Sequence, residues 1–371
     1  MNNSEIFDLY TDYLISSFDL TTATGLSNLL NNEISHDKIT RFLSNNNFDN
    51  STLWKVVKPT LRKVENDSGI IIIDDFVENK PYTRQNEIVS FHYDNSEKRT
   101  VKGINILNFV YHTKLLDGSD TSLPIAYEII KKMEFYLDHK TNKIKRRSKI
   151  SKNELMRERL KILSSNNQIK YSYVVFDSWY SSKENFNFIV NDLKKDFVGA
   201  IKNNRSVALS YEDKLNNNFV AVSELNISPG VTRLVYLKGI TYPVLLAKLT
   251  FKNGSDGKAR DLYVVSSDTQ LSYRQLSQLY KRRWRVEEYH KSLKQNASLE
   301  KSPTKKIVTQ SNHIFCSIVA FLKLEKIKLK TKTNHFRFKN MIYIKAIKNA
   351  YKELLIHKEK YGLDIGEALA A

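Results

Sequence analysis

The chain has 371 residues, with 59 Lys and Arg against 40 Asp and Glu, a net charge of +19 and a pI near 9.6. That length holds two or three domains, and 41 % hydrophobic residues are enough for a sizeable core and too many for wholesale disorder. A charge this far from zero favours a polyanionic partner, nucleic acid first. The one cysteine, Cys316, excludes an intrachain disulfide framework and a cysteine zinc site and points to a reducing, cytoplasmic compartment. No apolar run of about 18 residues is present, so no membrane span is expected. MNNSEIFDLY lacks a basic start and a long apolar core, so no signal peptide is expected.

Residues 1–65 read as short amphipathic helices. Leu26, Leu29, Leu30, Ile34, Ile39, Phe42 and Leu43 mark their apolar sides, with Ser35 as an N-cap. Lys38 and Arg41 fall on an outward face, which suits a helical unit that reads DNA. The period then changes. Residues 69–73 (GIIII) are a buried-strand pattern that ends at Asp74-Asp75, and residues 88–93 and 103–111 complete an expected antiparallel meander, with a turn at 94–97. Residues 127–164 look helical, interrupted by an exposed basic loop at 143–149 (KIKRRSK). Residues 171–176 form a strand that ends at Asp177, and Ser181 and Glu184 have the spacing of a capping box. Residues 197–201 are another strand, followed by Lys202 and Arg205. Residues 206–271 read as a β-rich insertion of short strands and Asn, Gly and Asp turns. A helix opens at Ser272, with Gln275 completing a capping box, and helical texture runs to about 330. Residues 331–371 are basic and then helical.

Chemistry concentrates in four acids and one stripe. Tyr280, Arg283, Glu287 and Lys294 lie in a stretch without Gly or Pro, and on a continuous helix they share one narrow face. Glu288 points about 100° away. Charged helix faces are common, and a solvated face with i,i+4 ion pairs explains the stripe equally well. Asp74 or Asp75, and Asp177, stand where strands meet polar turns, a usual place for functional groups in α/β sheets. Taken singly, each is accounted for by a turn. Taken with Glu287, they make a set of two Asp and one Glu able to hold two divalent ions for phosphoryl transfer. Hard oxygen ligands suit Mg²⁺ or Mn²⁺. Neighbouring strand residues face opposite ways, so one of Asp74 and Asp75 should reach such ions; Asp74 is preferred and Asp75 is the alternative.

These motifs resemble bacterial insertion-sequence transposases of the DDE class, in the group with the Tyr-Arg-Glu-Lys signature. Tyr280, Arg283, Glu287 and Lys294 match the signature spacing, IIIIDD matches the first acidic motif and YVVFDSWYSS the second, over roughly residues 20–330. The resemblance implies a ribonuclease-H-like mixed-sheet core in two parts (66–205 and 272–330) around the β insertion (206–271), with an N-terminal helical DNA-binding domain (1–65) and a basic helical C-terminal region (331–371). It implies two Mg²⁺ or Mn²⁺ ions held by Asp74 (or Asp75), Asp177 and Glu287. Tyr280, Arg283 and Lys294 would contact phosphates, as would Lys202 and Arg205. It further implies cut-and-paste transposition by a homodimer acting on double-stranded DNA with terminal inverted repeats and on target DNA. Residues 206–270 contain no Trp, so a base-stacking platform in the insertion would need Tyr or Phe. Two other readings stay open: a ribonuclease-H-like repair nuclease or junction resolvase, and a DNA-binding derivative that has lost its nuclease.

Overall fold

A computed structural model of the protein describes residues 2–94, 97–139, 141–252 and 259–362. The expected turn at 94–97 and the end of the 331–371 region therefore lie partly outside the described residues. The chain divides into two compact units: residues 1–46, 291–304 and 308–371, and residues 47–290 with 305–307.

The first unit is helical. It contains α1 (Asn3–Ser16), α2 (Ala23–Leu29) and α3 (His36–Asn45). Ser35 caps α3 by accepting from the Lys38 N–H, as its sequence suggested. The amphipathic faces of α1 and α3 close on a long helix from the far end of the sequence (Ile307–Thr331). Phe7 and Phe315 have ring centroids 5.9 Å apart, the Tyr10 hydroxyl lies 3.0 Å from His313 Nδ1, and Asn312 donates to the Leu43 and Asn46 carbonyls at 2.8 and 2.7 Å. That long helix is apolar enough to span a bilayer by length and composition, yet 78 % of its most apolar window is buried as the core of this unit.

The second unit is built on one mixed sheet. The helix α4 (Asn50–Val64) precedes it and packs on the sheet, Asn50 bonding both the N–H and the carbonyl of Tyr127. The expected boundary at 65 thus differs from the observed one, because α4 covers sheet side chains while α1–α3 need the C-terminal helix as their core. The strands are β1 (Ile70–Asn79), β2 (Val89–Asp94), β3 (Arg99–Lys114) and β4 (Asp120–Ile129), followed by the hairpin β5 (Glu134–Asp138) and β6 (Lys143–Arg147). After α5 (Lys152–Lys161) come β7 (Tyr173–Phe176), α6 (Lys183–Asn187), β8 (Asp196–Ile201) and β9 (Ser206–Ala208). Then follow α7 (Tyr211–Leu215), β10 (Val220–Ala221), β11 (Thr232–Leu237), β12 (Val244–Lys252) and β13 (Ala259–Ser266). The remaining helices are α8 (Tyr273–Lys281), α9 (Trp284–Asn296), α10, which is the apolar Ile307–Thr331 helix, and α11 (His335–Tyr361).

Among the described residues, eleven strands form one sheet in the order β10-β9-β11-β12-β13-β8-β7-β1-β3-β2, with β4 also on β3. β1, β7 and β8 run parallel and the other pairings are antiparallel. Buried on both faces, β1 and β7 carry continuous apolar runs, as parallel strands do.

Several expectations are corrected here. Residues 127–139 and 141–147 are not helical: they hold the end of β4 and the β5–β6 hairpin, and KIKRR is a strand rather than a loop. β4 is buried on both faces, so it lacks the alternation that marks a half-exposed strand. The meander order is also different, since β1 pairs with β3 and β2 lies on the other side of β3. β1 does not end at Asp74-Asp75; the sixteen-residue β3 carries its ladder on to Asn79. Ser182 rather than Ser181 caps α6, and Ser181 donates to the Ala200 carbonyl instead. The β-rich segment extends the core sheet through β13, which pairs with β8.

Candidate active site

Pairing between the parallel strands β1 and β7 stops at Ile73 and Phe176. Asp74 and Asp177 each follow one residue later, side by side where the two strands part. Asp75, one residue on, faces the other way. The helical stretch expected at 280–297 is broken: α8 ends at Lys281, and α9 begins at Trp284. The amides of Arg283 and Val286 reach back only three residues, to Tyr280 and Arg283. Arg283 therefore stands in a turn between two helices and reaches out from both.

Its guanidinium joins two of the expected acids. Arg283 Nη1 is 3.2 Å from Asp74 Oδ2, and Nη2 is 2.6 Å from Glu287 Oε1. Its charge also lies 5.9 Å from the centre of the buried Tyr280 ring. Asp177 accepts the Trp179 N–H at 2.9 Å. Burial pushes the Asp74 carboxyl up to about 8; Arg283 opposes this, while Asp177 and Asp75 add to it. Asp177 is raised as well, chiefly by burial, against the Trp179 N–H and Arg283. Burial works against the Arg283 charge, but Tyr280, Asp74 and Glu287 outweigh it and hold the guanidinium protonated. Asp74 and Asp177 thus lack full compensation of their charge, even with Arg283 in place.

Asp75 is held quite differently. Both of its oxygens accept from Lys152 Nζ at 2.9 Å, Oδ2 also accepts from Asn105 at 2.7 Å, and Oδ1 accepts from the buried Tyr180 hydroxyl. Burial would raise its pKa, but the Lys152 charge and these donors win and hold it below the ordinary carboxylate range. The capping box of Ser151 and Glu154 fixes the first turn of α5, which is how Lys152 comes to point at Asp75. Lys152 also lies 4.7 Å over the ring of Trp179, a side chain 55 % exposed beside Asp177.

The structure thus brings together Asp74, Asp177, Tyr280, Arg283 and Glu287. Lys294 is ion-paired with Glu300 at 2.8 Å, in the helical unit. Lys202 is exposed just after β8, and Arg205 is half-buried with its charge disfavoured by burial. Lys38 is half-buried and Arg41 exposed on α3. Among the described residues no three His, Cys, Asp or Glu side chains are gathered around one ion-sized position; Arg283 stands between Asp74 and Glu287. Sequence reasoning missed Asn105, Lys152 and Tyr180. Tyr180 lies inside YVVFDSWYSS and was open to notice, whereas nothing local marks Asn105 or Lys152.

An α/β protein with half-buried acids at the parting of two parallel strands, one of them joined to a helix glutamate by an arginine from a helix break, fits the DDE transposase class. Residues 21–335 match the family described as "Archaeal putative transposase ISC1217", and the chain belongs to this family of DDE transposases. None of the curated proteins compared with it matches.

Proposed function

We propose that the protein cleaves and joins DNA at the inverted ends of an insertion sequence, in a cut-and-paste reaction on a ribonuclease-H-like core. One observation carries the assignment of the site: Arg283 touches Asp74 and Glu287 at once, with Asp177 beside Asp74 on the neighbouring parallel strand. The strand order β4-β3-β1-β7-β8, with β1, β7 and β8 parallel, supports the core. The Tyr-Arg-Glu-Lys spacing supports a place among the insertion-sequence enzymes.

The donor set suits hard divalent ions. It consists of carboxylate oxygens; burial first, and neighbouring carboxylates second, raise Asp74 and Asp177 against the opposing Arg283, and a bound cation would favour their charged forms. Asp74, Asp177 and Glu287 would hold Mg²⁺ or Mn²⁺, two ions in all, which when bound activate the attacking oxygen and steady the leaving one. Arg283 keeps its charge throughout the working pH range, and its planar fork suits phosphate as well as carboxylate. The Tyr280 ring, 5.9 Å from the guanidinium, adds a further contact to its charge. Asp75 orients rather than ligates, because its oxygens are already committed to Lys152, Asn105 and Tyr180. Element ends and target DNA are the substrates, a homodimer the working form, and the cytoplasm the compartment. Lys202, Arg205, Lys294, Lys38 and Arg41 are the further residues that touch phosphates or bases.

The test is metal-dependent nicking of a duplex bearing the element's end. Asp74→Ala, Asp177→Ala and Glu287→Ala should each nearly abolish nicking with Mg²⁺ while sparing DNA binding. Full nicking by any of the three would remove that residue from the site.

A further inference from the structure

The β5–β6 hairpin stands outside the main sheet and makes a two-stranded sheet of its own. A lone two-stranded ribbon is marginal in water, and this one leaves both faces open. By alternation and register, Phe135, Leu137, Ile144 and Arg146 share one face, and Glu134, Tyr136, Asp138, Lys143, Lys145 and Arg147 share the other. Phe135 is 62 %, Leu137 47 % and Ile144 74 % exposed. Three large apolar side chains exposed together on five-residue strands mark a contact surface rather than ordinary scatter. Residues 131–150 carry eight Lys and Arg against only Glu134 and Asp138. Those two acids brace the ribbon itself: Glu134 pairs with Arg147 at 3.1 Å and Asp138 with Lys145. Arg146 stacks on Phe135 at 4.5 Å. A large cationic surplus remains, so the complementary partner is a polyanion.

We propose that the β5–β6 hairpin is a DNA-binding arm that lies in a groove of duplex DNA. Lys143, Lys145 and Arg147 stand at alternate positions, about 6.6 Å apart along the strand, on the face opposite the apolar one; their long side chains reach the phosphates that rim the groove, where phosphate replaces Asp138 and Glu134 as the partner of Lys145 and Arg147. Phe135, Leu137 and Ile144 turn toward sugars and base edges. The major groove, about 12 Å wide, admits a two-stranded ribbon, and apolar side chains there meet the thymine methyl groups. The partner class rests on the DNA-processing reading above, whereas the ribbon's exposure and charge do not.

The experiment measures binding of the full-length protein to a random-sequence DNA duplex in EDTA, from low to moderate salt. Lys143→Ala/Lys145→Ala/Arg147→Ala should lower the slope of log K against log salt by about 2–3, at roughly 0.9 for each phosphate left unneutralised. Phe135→Ala/Ile144→Ala should weaken binding roughly tenfold with the slope unchanged, as removal of apolar burial does. Lys143→Arg/Lys145→Arg should keep the wild-type slope, and the thermal midpoint of each variant reports whether it is folded. Wild-type affinity and slope in both folded alanine variants would overturn the arm. Equal, hairpin-dependent binding of poly-glutamate would overturn its assignment to DNA. Hairpin-dependent binding in a protein that nicks nothing with Mg²⁺ would overturn the catalytic reading and leave the arm standing.

Discussion

Asp74 and Asp75 are neighbours in sequence, yet their surroundings predict opposite effects on stability. Asp75→Ala removes a carboxylate that accepts from Lys152, Asn105 and Tyr180 and strands the Lys152 ammonium in a site where the pair is only 14–22 % exposed. Hydrogen bonds to a charged group contribute about 1.5–3 kcal/mol, and breaking a buried pair costs about 3–5 kcal/mol. We expect a loss of about 3 kcal/mol. Asp74→Asn does the reverse. The folded protein raises Asp74 from 3.8 to about 8, so the unfolded chain releases that proton first. Wild-type stability therefore falls as pH rises from about 4 to about 8 and levels off above. At about 1.36 kcal/mol per unit the full penalty is on the order of 6 kcal/mol; screening at a side chain 17 % exposed brings it to about 2–3 kcal/mol. Asp74→Asn should thus be more stable than wild type near pH 8 and lose that advantage toward pH 4, while nicking nothing. The assay is thermal unfolding in EDTA across this pH range, with nicking measured in parallel. An Asp74→Asn variant as destabilised as Asp75→Ala, or an Asp75→Ala variant with wild-type melting, would refute the division of roles.

Arg283→Ala should slow nicking by roughly 100-fold, the scale of losing one preorganised charge donor. Arg283→Lys should recover little of that, because an ammonium cannot span Asp74 and Glu287 as the fork does; near-wild-type nicking by the lysine variant would count against the fork. Gly103→Ala places a Cβ 2.2 Å from the Glu78 carbonyl oxygen, where β1 and β3 meet, and should cost about 3 kcal/mol in unfolding experiments. Lys38→Ala/Arg41→Ala should reduce the preference for the element's end over random DNA, read from competition binding, and an unchanged preference would take specificity away from α3. Point substitutions are the proper test there, since deleting residues 1–65 would strip the core from the helical unit and α4 from the sheet.

The sequence by itself determined much of the local structure and singled out the candidate site residues. The caps Ser35, Ser272 and Gln275, the strand runs IIII and YVVF, and the acids Asp74, Asp177 and Glu287 are set by neighbours in the chain, so periodicity and spacing reveal them. The spacing of Tyr280, Arg283 and Glu287 was legible too, although the helix expected to carry it is broken at Arg283. Only the tertiary structure decided what depends on distant partners. β4 reads as helix because burial on both faces erases alternation, and a strand that makes its hydrogen bonds with β3 leaves no trace of that pairing in its own residues. Asp74 and Asp75 are chemically identical, and what separates them is Lys152, 77 residues away from Asp75 in sequence, against Arg283, 209 residues from Asp74. The helical unit is divided in sequence for the same reason: the apolar faces of α1 and α3 state that they must be covered, and nothing in them says that α10, some three hundred residues away from α1, will do it.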